Sequence, residues 1–184
     1  MKNIIQNIRR LFFDNSCTCC GEKASDNLIY LCYNCLDKIV RQKSLNKVGD
    51  TYYIWPYKGE FRKLLLEYKN NSRLALGKII SSLIEEEIFK VVYEEDIDYI
   101  VPIPINFRRE QIRGFNQVEE ILKNLNYSFL KTNRVKNTKK MFKILDKEKR
   151  ENNIKNSFKV DKEFKAKNIL IFDDIITTGA TIEE

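Results

Sequence analysis

Two neighbouring carboxylates, Asp173 and Asp174, follow an apolar run and precede a loop of small residues. The run covers 169–172, and the loop covers 177–181 with the sequence Thr-Thr-Gly-Ala-Thr. Backbone N–H groups of such a loop converge on an anion, and threonine hydroxyls add donors. The carboxylates accept hydrogen bonds from hydroxyl groups. The combination predicts a sugar-phosphate site, and the alternative is a buried strand that ends in a polar turn.

All five cysteines lie in one short stretch, and four of them form two C-x2-C pairs. The pairs are Cys17 with Cys20 and Cys32 with Cys35, and Cys19 is the spare thiol. Two such pairs supply the four soft ligands that tetrahedral zinc requires. Disulfides fit poorly in a chain without a secretory signal, and a redox pair would leave the second C-x2-C unexplained. We therefore expect structural Zn²⁺ at these four cysteines, where it would fold the first ~40 residues.

A third group of residues suited to anions lies at Arg108, Arg109 and Arg113, close to a predicted helix start at Asn116. Arginine at a helix N-terminus opposes the helix dipole unless an anion is bound there. The guanidinium group also matches phosphate geometry. The pattern predicts a diphosphate or nucleic-acid contact, and the alternative is a solvent-exposed basic turn.

The excess positive charge is concentrated in one segment. The chain has a net charge of +7, and residues 131–150 alone carry nine basic and two acidic residues. Lys139, Lys140 and Lys143 lie in this segment. Polyphosphate and single-stranded DNA would both be attracted to it, with strong salt dependence; a solvated lysine-rich loop is the alternative. Because the chain has no histidine, imidazole acid–base chemistry is excluded.

The elements that position these residues follow from local patterns. A continuous apolar run such as 169–172 is typical of a strand buried on both faces of a parallel sheet. The prolines of Tyr99-Ile100-Val101-Pro102-Ile103-Pro104 predict a short strand that ends in a rigid turn. Further strands are predicted at 50–57 and 158–160, and helices at 60–69, from Ser72 to 89, and at 116–125.

No targeting or membrane segment is predicted. No apolar run approaches the ~20 residues that span a bilayer. Residues 1–13 predict an amphipathic helix that packs on the body of the protein, and they lack the features of a secretory signal. A cytoplasmic location is therefore expected.

Two motifs carry a resemblance to known families. The stretch 169–181 resembles the phosphoribosyl-diphosphate (PRPP) binding motif of type I phosphoribosyltransferases: strand, two acids, two apolar residues, then Thr-Thr-Gly-x-Thr. Val101-Pro-Ile-Pro104, the following arginines and Arg113-Gly-Phe-Asn-Gln117 are similar to the signature of the ComF family. These are competence-associated, phosphoribosyltransferase-like proteins of bacteria. The order of the pieces, with the zinc module first, fits the whole chain.

The resemblance implies an α/β fold with two parts. Residues 1–45 would form an N-terminal helix and a small zinc ribbon, and residues 46–184 a parallel-sheet type I phosphoribosyltransferase-like domain. Such domains continue past the PRPP loop through a helix and at least one strand. Because the sequence stops at Glu184, the domain is expected to be C-terminally incomplete.

The resemblance also implies roles. Asp173 and Asp174 would contact ribose hydroxyls, and Arg113 would face the diphosphate with Mg²⁺. The 5-phosphate would be held by Thr177, Thr178, Gly179, Ala180 and Thr181. Single-stranded DNA would contact Arg108, Arg109, Lys139, Lys140 and Lys143. Competence helicases and recombination proteins are the implied partners.

Three functions remain open from the sequence. The first is handling of single-stranded DNA during natural transformation with a ribose 5-phosphate pocket. The second is an active phosphoribosyltransferase in which Asp173 and Asp174 are the catalytic residues and positioning and electrostatics drive catalysis. The third is a zinc-ribbon adaptor with a vestigial pocket.

Overall fold

The computed structural model describes residues 16–70, 73–134, 158–159 and 168–176. Within these ranges the chain forms helices and short strands in two compact units, Met1–Leu76 and Gly77–Glu184. The helices are α1 (Tyr33–Arg41), α2 (Gly59–Asn70), α3 (Leu74–Glu94), α4 (Phe107–Arg113) and α5 (Gln117–Asn124). The strands are β1 (Asn46–Val48), β2 (Thr51–Tyr53), β3 (Tyr99–Pro102), β4 (Asn133–Arg134), β5 (Phe158–Lys159) and β6 (Ile169–Phe172).

The first unit builds its core where the cysteine segment, α1 and α2 bury their apolar residues. Trp55 is buried and donates a hydrogen bond from Nε1 to the carbonyl of Ile39 at 2.9 Å. Its ring stacks on Phe61 with a centroid separation of 4.2 Å. The core of this unit is completed by Leu31, Leu64, Leu65, Tyr68 and Leu76. The expected helix with a buried face at Leu64 and Tyr68 is therefore confirmed as α2.

The strand predicted at 50–57 is shorter than expected. The structure has an antiparallel hairpin of β1 and β2, in which Val48 faces Thr51 across a two-residue turn. Gly49 adopts φ +57° in this turn, a conformation that glycine allows without strain. Beyond Tyr53 the chain leaves the hairpin and buries Trp55, so the aromatic pattern reflected core packing rather than a longer strand.

The second unit is built around the apolar side of α3. Ile80, Ile84, Ile88 and Val91 are buried and recur at helical spacing. Buried Ser81 donates from Oγ to the carbonyl of Gly77 at 2.8 Å, so its hydroxyl is satisfied inside the helix. The helix runs five residues past the expected end at 89. The apolar residues of α5 that are buried are Val118, Ile121 and Leu122.

A parallel pair of strands, β3 and β6, supports the candidate site. Tyr99 pairs with Ile169 and Pro102 with Phe172. This arrangement confirms the expected parallel pairing, although the described part of the chain shows only two strands in this sheet. A second small pair joins β4 and β5 in antiparallel orientation.

The prediction that β6 is buried on both faces is wrong. Ile169 and Ile171 are each more than a third exposed, whereas Leu170 and Phe172 are half-buried. Alternate residues of a strand face opposite sides of a sheet, so one face of β6 remains accessible. A continuous apolar run therefore predicted the strand correctly but not what covers it.

No helix in the described ranges is long and apolar enough to cross a membrane.

Candidate functional site

The two strand-end carboxylates lie where β3 and β6 finish together. The backbone N–H of Ile103 donates to the carbonyl of Phe172 at 2.9 Å, which continues the pairing one step beyond the strands. Asp173 and Asp174 then leave the sheet at the carboxyl end of β6, and both are half-buried. The Asp173 carboxylate accepts a hydrogen bond from the backbone N–H of Asp174 at 2.8 Å. Ligands of open α/β sheets bind at this edge.

Gln117 joins the arginine-bearing segment to these acids. Its side-chain Nε2 donates to Oδ2 of Asp174 at 2.7 Å, and its Oε1 accepts a hydrogen bond from the guanidinium of Arg113. Gln117 is only 5% exposed, so the amide is held in a largely desolvated position. An amide with one donor and one acceptor engaged has its orientation fixed by both partners. The Gln117 amide therefore connects the cation of Arg113 to the anion of Asp174, which lies 61 residues further along the chain.

Two helix caps position Arg113 and Gln117 for these hydrogen bonds. Gly114 ends α4 in the left-handed conformation, with φ +84°, and its N–H donates to the carbonyl of Glu110. Asn116 begins α5 by accepting from the N–H of Val118 at 3.0 Å, and it is buried. A left-handed glycine followed by an asparagine N-cap is the standard way to stop one helix and start another. Arg113, the last residue of α4, and Gln117, the first of α5, are thereby brought side by side.

The remaining two predicted arginines lie on α4. Arg109 is half-buried, and burial lowers the pKa of its guanidinium from the usual value. Arg108 is exposed. Both are separated by at most five residues from Arg113 along one short helix, and of the three arginines Arg113 is the one linked to a strand-end acid through Gln117.

The structure thus brings together part of the predicted site. Arg113 and Asp174 are joined through Gln117, and Asp173 is adjacent to Asp174 and accepts from its N–H. Residues of the proposed phosphate loop and of the basic segment lie outside the described ranges: Thr177, Thr178, Gly179, Ala180, Thr181, Lys139, Lys140 and Lys143. Their roles stay predictions. Gln117 was not singled out from the sequence as a site residue, although it closes the Arg-Gly-Phe-Asn-Gln motif that was.

The four cysteines of the two C-x2-C pairs form a compact cluster. The Sγ atoms of Cys17, Cys20, Cys32 and Cys35 all lie within 4.8 Å of one another. Four sulfurs held about 2.3 Å from one zinc ion in a tetrahedron would lie about 3.8 Å apart. The Cys20 and Cys32 sulfurs are separated by 3.8 Å, so the donor set fits structural zinc. The predicted clustering of these residues is confirmed.

Backbone hydrogen bonds favour the thiolate at Cys17, whereas burial raises the pKa of the Cys35 thiol. Burial raises the pKa of Cys17, but hydrogen bonds from the backbone of neighbouring cysteines outweigh it and lower the pKa to about 6. Gly21 adopts φ +81° directly after the first pair and donates to the carbonyl of Cys17 at 2.8 Å. Cys32 caps α1 and accepts at Sγ from the N–H of Cys35 at 3.4 Å. A metal ion would replace the protons of these sulfurs and stabilise the charged state.

The fifth cysteine has a different environment. Cys19 is buried, and burial raises the pKa of its thiol to about 11. Its Sγ donates to the carbonyl of Glu60 at 3.4 Å, while Lys63 donates from Nζ to the carbonyl of Cys19 at 2.7 Å. Cys19 therefore ties the first C-x2-C turn to the start of α2 and is not part of the four-sulfur cluster.

Comparison with curated proteins identifies relatives over most of the chain. The chain is 26% identical over 177 residues to DNA utilization protein YhgH of Escherichia coli (strain K12), covering 91% of this chain and 74% of that protein. It is 26% identical over 182 residues to Competence protein F of Haemophilus influenzae, covering 90% of this chain and 75% of that protein. No family model and no solved structure matches. The resemblance to competence-associated proteins inferred from motif order is confirmed by these homologues.

Proposed function

We propose that this homologue of competence and DNA-utilization proteins handles single-stranded DNA and binds a ribose 5-phosphate moiety at the carboxyl ends of β3 and β6. In this proposal the second unit is a type I phosphoribosyltransferase-like domain. The zinc-bearing unit serves as a separate folded module, and the protein acts in the cytoplasm.

The observation that carries the proposal is the link from Arg113 through Gln117 to Asp174. Two motifs that the sequence separates by more than fifty residues meet at one edge of a parallel pair of strands. Carboxylates suit the hydroxyls of a pentose, and a guanidinium suits its phosphate groups. This pair of charged residues therefore fits a ligand that carries both hydroxyl and phosphate groups.

Each residue would have a distinct part. Asp173 and Asp174 would accept hydrogen bonds from ribose hydroxyls, and Arg113 would face a diphosphate with Mg²⁺ nearby. The 5-phosphate would sit in the loop 177–181. Lys139, Lys140 and Lys143, together with Arg108 and Arg109, would follow the DNA backbone.

Calorimetric titration with PRPP and Mg²⁺ tests the pocket. The variant with both Asp173→Asn and Asp174→Asn should bind at least about tenfold more weakly, because a hydrogen bond to a charged group contributes about 1.5–3 kcal/mol. Asp50→Asn in the exposed hairpin turn is the matched control and should bind like the wild type. No heat of binding with either PRPP or ribose 5-phosphate would overturn the pocket.

Fluorescence anisotropy with labelled oligo-dT tests the DNA half of the proposal. Affinity should fall steeply as salt rises, because binding to a single strand releases counterions. Charge reversal of Lys139, Lys140 and Lys143 should weaken binding further. Affinity that does not change between low and high salt would contradict an electrostatic contact.

An active phosphoribosyltransferase is the second candidate, favoured by two neighbouring carboxylates, one of which is linked to Arg113 through Gln117. The carboxylates would stabilise an oxocarbenium-like ribose as pyrophosphate leaves. Incubation with PRPP, Mg²⁺ and a panel of bases, followed by a pyrophosphate assay, decides between the two. Turnover would establish the enzyme, whereas binding without turnover would favour the DNA-handling role.

A further inference from the structure

Helix α4 lies at the protein surface. None of its seven residues is fully buried, and an isolated helix of this length is unstable in water. It is held at its ends: buried Asn106 accepts from the N–H of Arg108 at 3.0 Å, and Gly114 closes the other end. The caps and the Arg113–Gln117 contact therefore maintain a helix whose side chains remain accessible.

The side chains of α4 divide into two faces. Arg109 and Arg113, four residues apart, are half-buried, and Arg113 contacts Gln117. The outward face consists of four exposed residues, Phe107, Arg108, Gln111 and Ile112. Phe107 and Gln111 are neighbours at a spacing of four residues, as are Arg108 and Ile112, and the two pairs are adjacent on the helix surface.

The outward face combines exposed apolar groups with polar donors. Phe107 is 64% exposed and Ile112 is 87% exposed. Arg108 and Gln111 are exposed beside them, and the only acid of the helix, Glu110, belongs to neither pair. An accessible aromatic ring next to a cation is how proteins bind single-stranded nucleic acid without strong sequence preference.

We propose that this outward face of α4, formed by Phe107, Arg108, Gln111 and Ile112, binds the nucleobases of single-stranded nucleic acid. The proposal rests on the proposed DNA-handling function and specifies where bases, rather than phosphates, are contacted. Phe107 stacks on a base, Ile112 covers an adjacent base edge, and Gln111 hydrogen-bonds to polar base atoms. Arg108 neutralises the intervening phosphate. The half-buried Arg113 stays in contact with Gln117 at the strand-end site.

The charge around α4 favours nucleic acid over a protein partner. The helix carries three arginines and one glutamate, so phosphates are attracted to it. The exposed ring of Phe89 on α3 has surroundings of the opposite charge. It is also 64% exposed and stacks with Tyr93, but it lies in the stretch 85–98, which carries seven acids and one lysine. An equally exposed ring in an acidic setting should not attract a polyanion, which makes Phe89 a matched control.

The test compares two single strands of equal length, oligo-dT and an oligomer in which abasic sites replace the bases. Both present the same phosphates, but only oligo-dT can stack. Wild type should bind oligo-dT about fivefold or more tightly than the abasic strand, because loss of one stacked base costs about that factor or more. Phe107→Ala should remove most of this difference, and Phe107→Trp should retain it. Phe89→Ala should leave both affinities unchanged.

The outcomes separate this inference from the function on which it rests. If wild type binds neither strand, the DNA-handling function itself fails. If wild type binds both strands equally, DNA binding stands and base contact at α4 is overturned. If Phe107→Ala and Ile112→Ala bind oligo-dT like the wild type, bases are contacted elsewhere and the proposal for α4 is overturned. Far-UV circular dichroism confirms that each variant is folded.

Discussion

Replacement of Gln117 by methionine removes the amide that joins Arg113 to Asp174 while keeping the length of the side chain. In the native protein this amide donates to the Asp174 carboxylate at 2.7 Å and accepts from the Arg113 guanidinium. Methionine can do neither. The substitution therefore tests whether the two charged residues are held by the amide or only lie near it.

The expected cost follows from burial and charge. Gln117 is 5% exposed, so water does not readily replace the lost partner. A hydrogen bond to a charged group contributes about 1.5–3 kcal/mol. We expect the free energy of unfolding to fall by that amount and the Tm to drop by about 3–12 °C for a chain of this size.

Urea unfolding followed by far-UV circular dichroism gives the free energy, and a thermal melt gives the Tm. The control is Gln42→Met at the exposed end of α1, which should change the free energy by less than about 0.5 kcal/mol. PRPP binding should weaken in Gln117→Met, because Arg113 and Asp174 lose a shared restraint on their positions.

A double-mutant cycle with Asp174→Ala isolates the pair. Contacting residues commonly show coupling energies of about 0.5–3 kcal/mol. If Gln117→Met is no more destabilising than Gln42→Met, and costs the same with or without the Asp174 carboxylate, the amide link contributes nothing and the reasoning for this site is refuted.

Three further perturbations probe other parts of the protein. Cys35→Ser should lower bound zinc well below one ion per chain by elemental analysis, whereas Cys19→Ser should keep about one, and equal zinc in both variants would contradict the assigned donor set. Gly114→Ala should lower the free energy of unfolding in urea by about 1–2 kcal/mol, because φ at this position is +84°. The new Cβ would have no atom within 4 Å, so the cost would come from the backbone conformation alone. An unchanged free energy of unfolding would argue against the left-handed cap. Arg108→Ala should reduce the slope of log affinity for oligo-dT against log salt by about 0.7, whereas Lys78→Ala on α3 should not, and equal slopes for the two variants would remove the phosphate contact.

Local signals predicted most of the elements around the site. Asn116 marked a helix start, and its side chain accepts from the N–H of Val118, one of the backbone groups that a helix start leaves without a partner in the helix. Helix α4, which ends at Gly114, was not predicted from the sequence. The prolines at 102 and 104 likewise predicted where β3 ends. The spacing of the four cysteines predicted their cluster, because four ligands on two tight turns have few other arrangements.

Long-range features were not predictable to the same degree. The partner of Gln117 lies 57 residues away, and nothing in the local pattern selects Asp174 over other acids. The exposure of Ile169 and Ile171 depends on what covers β6, which a single run of apolar residues does not specify. The β1–β2 hairpin did have a local signal, since Gly49-Asp50 stands between two strand-forming segments.

The most direct test of the central claim is a crystal structure of the protein with PRPP and Mg²⁺. We expect ribose hydroxyls within hydrogen-bond distance of Asp173 and Asp174, and diphosphate oxygens facing Arg113. A ligand bound elsewhere, with these three side chains making no contact to it, would contradict the assignment of this strand edge as a ribose-phosphate site.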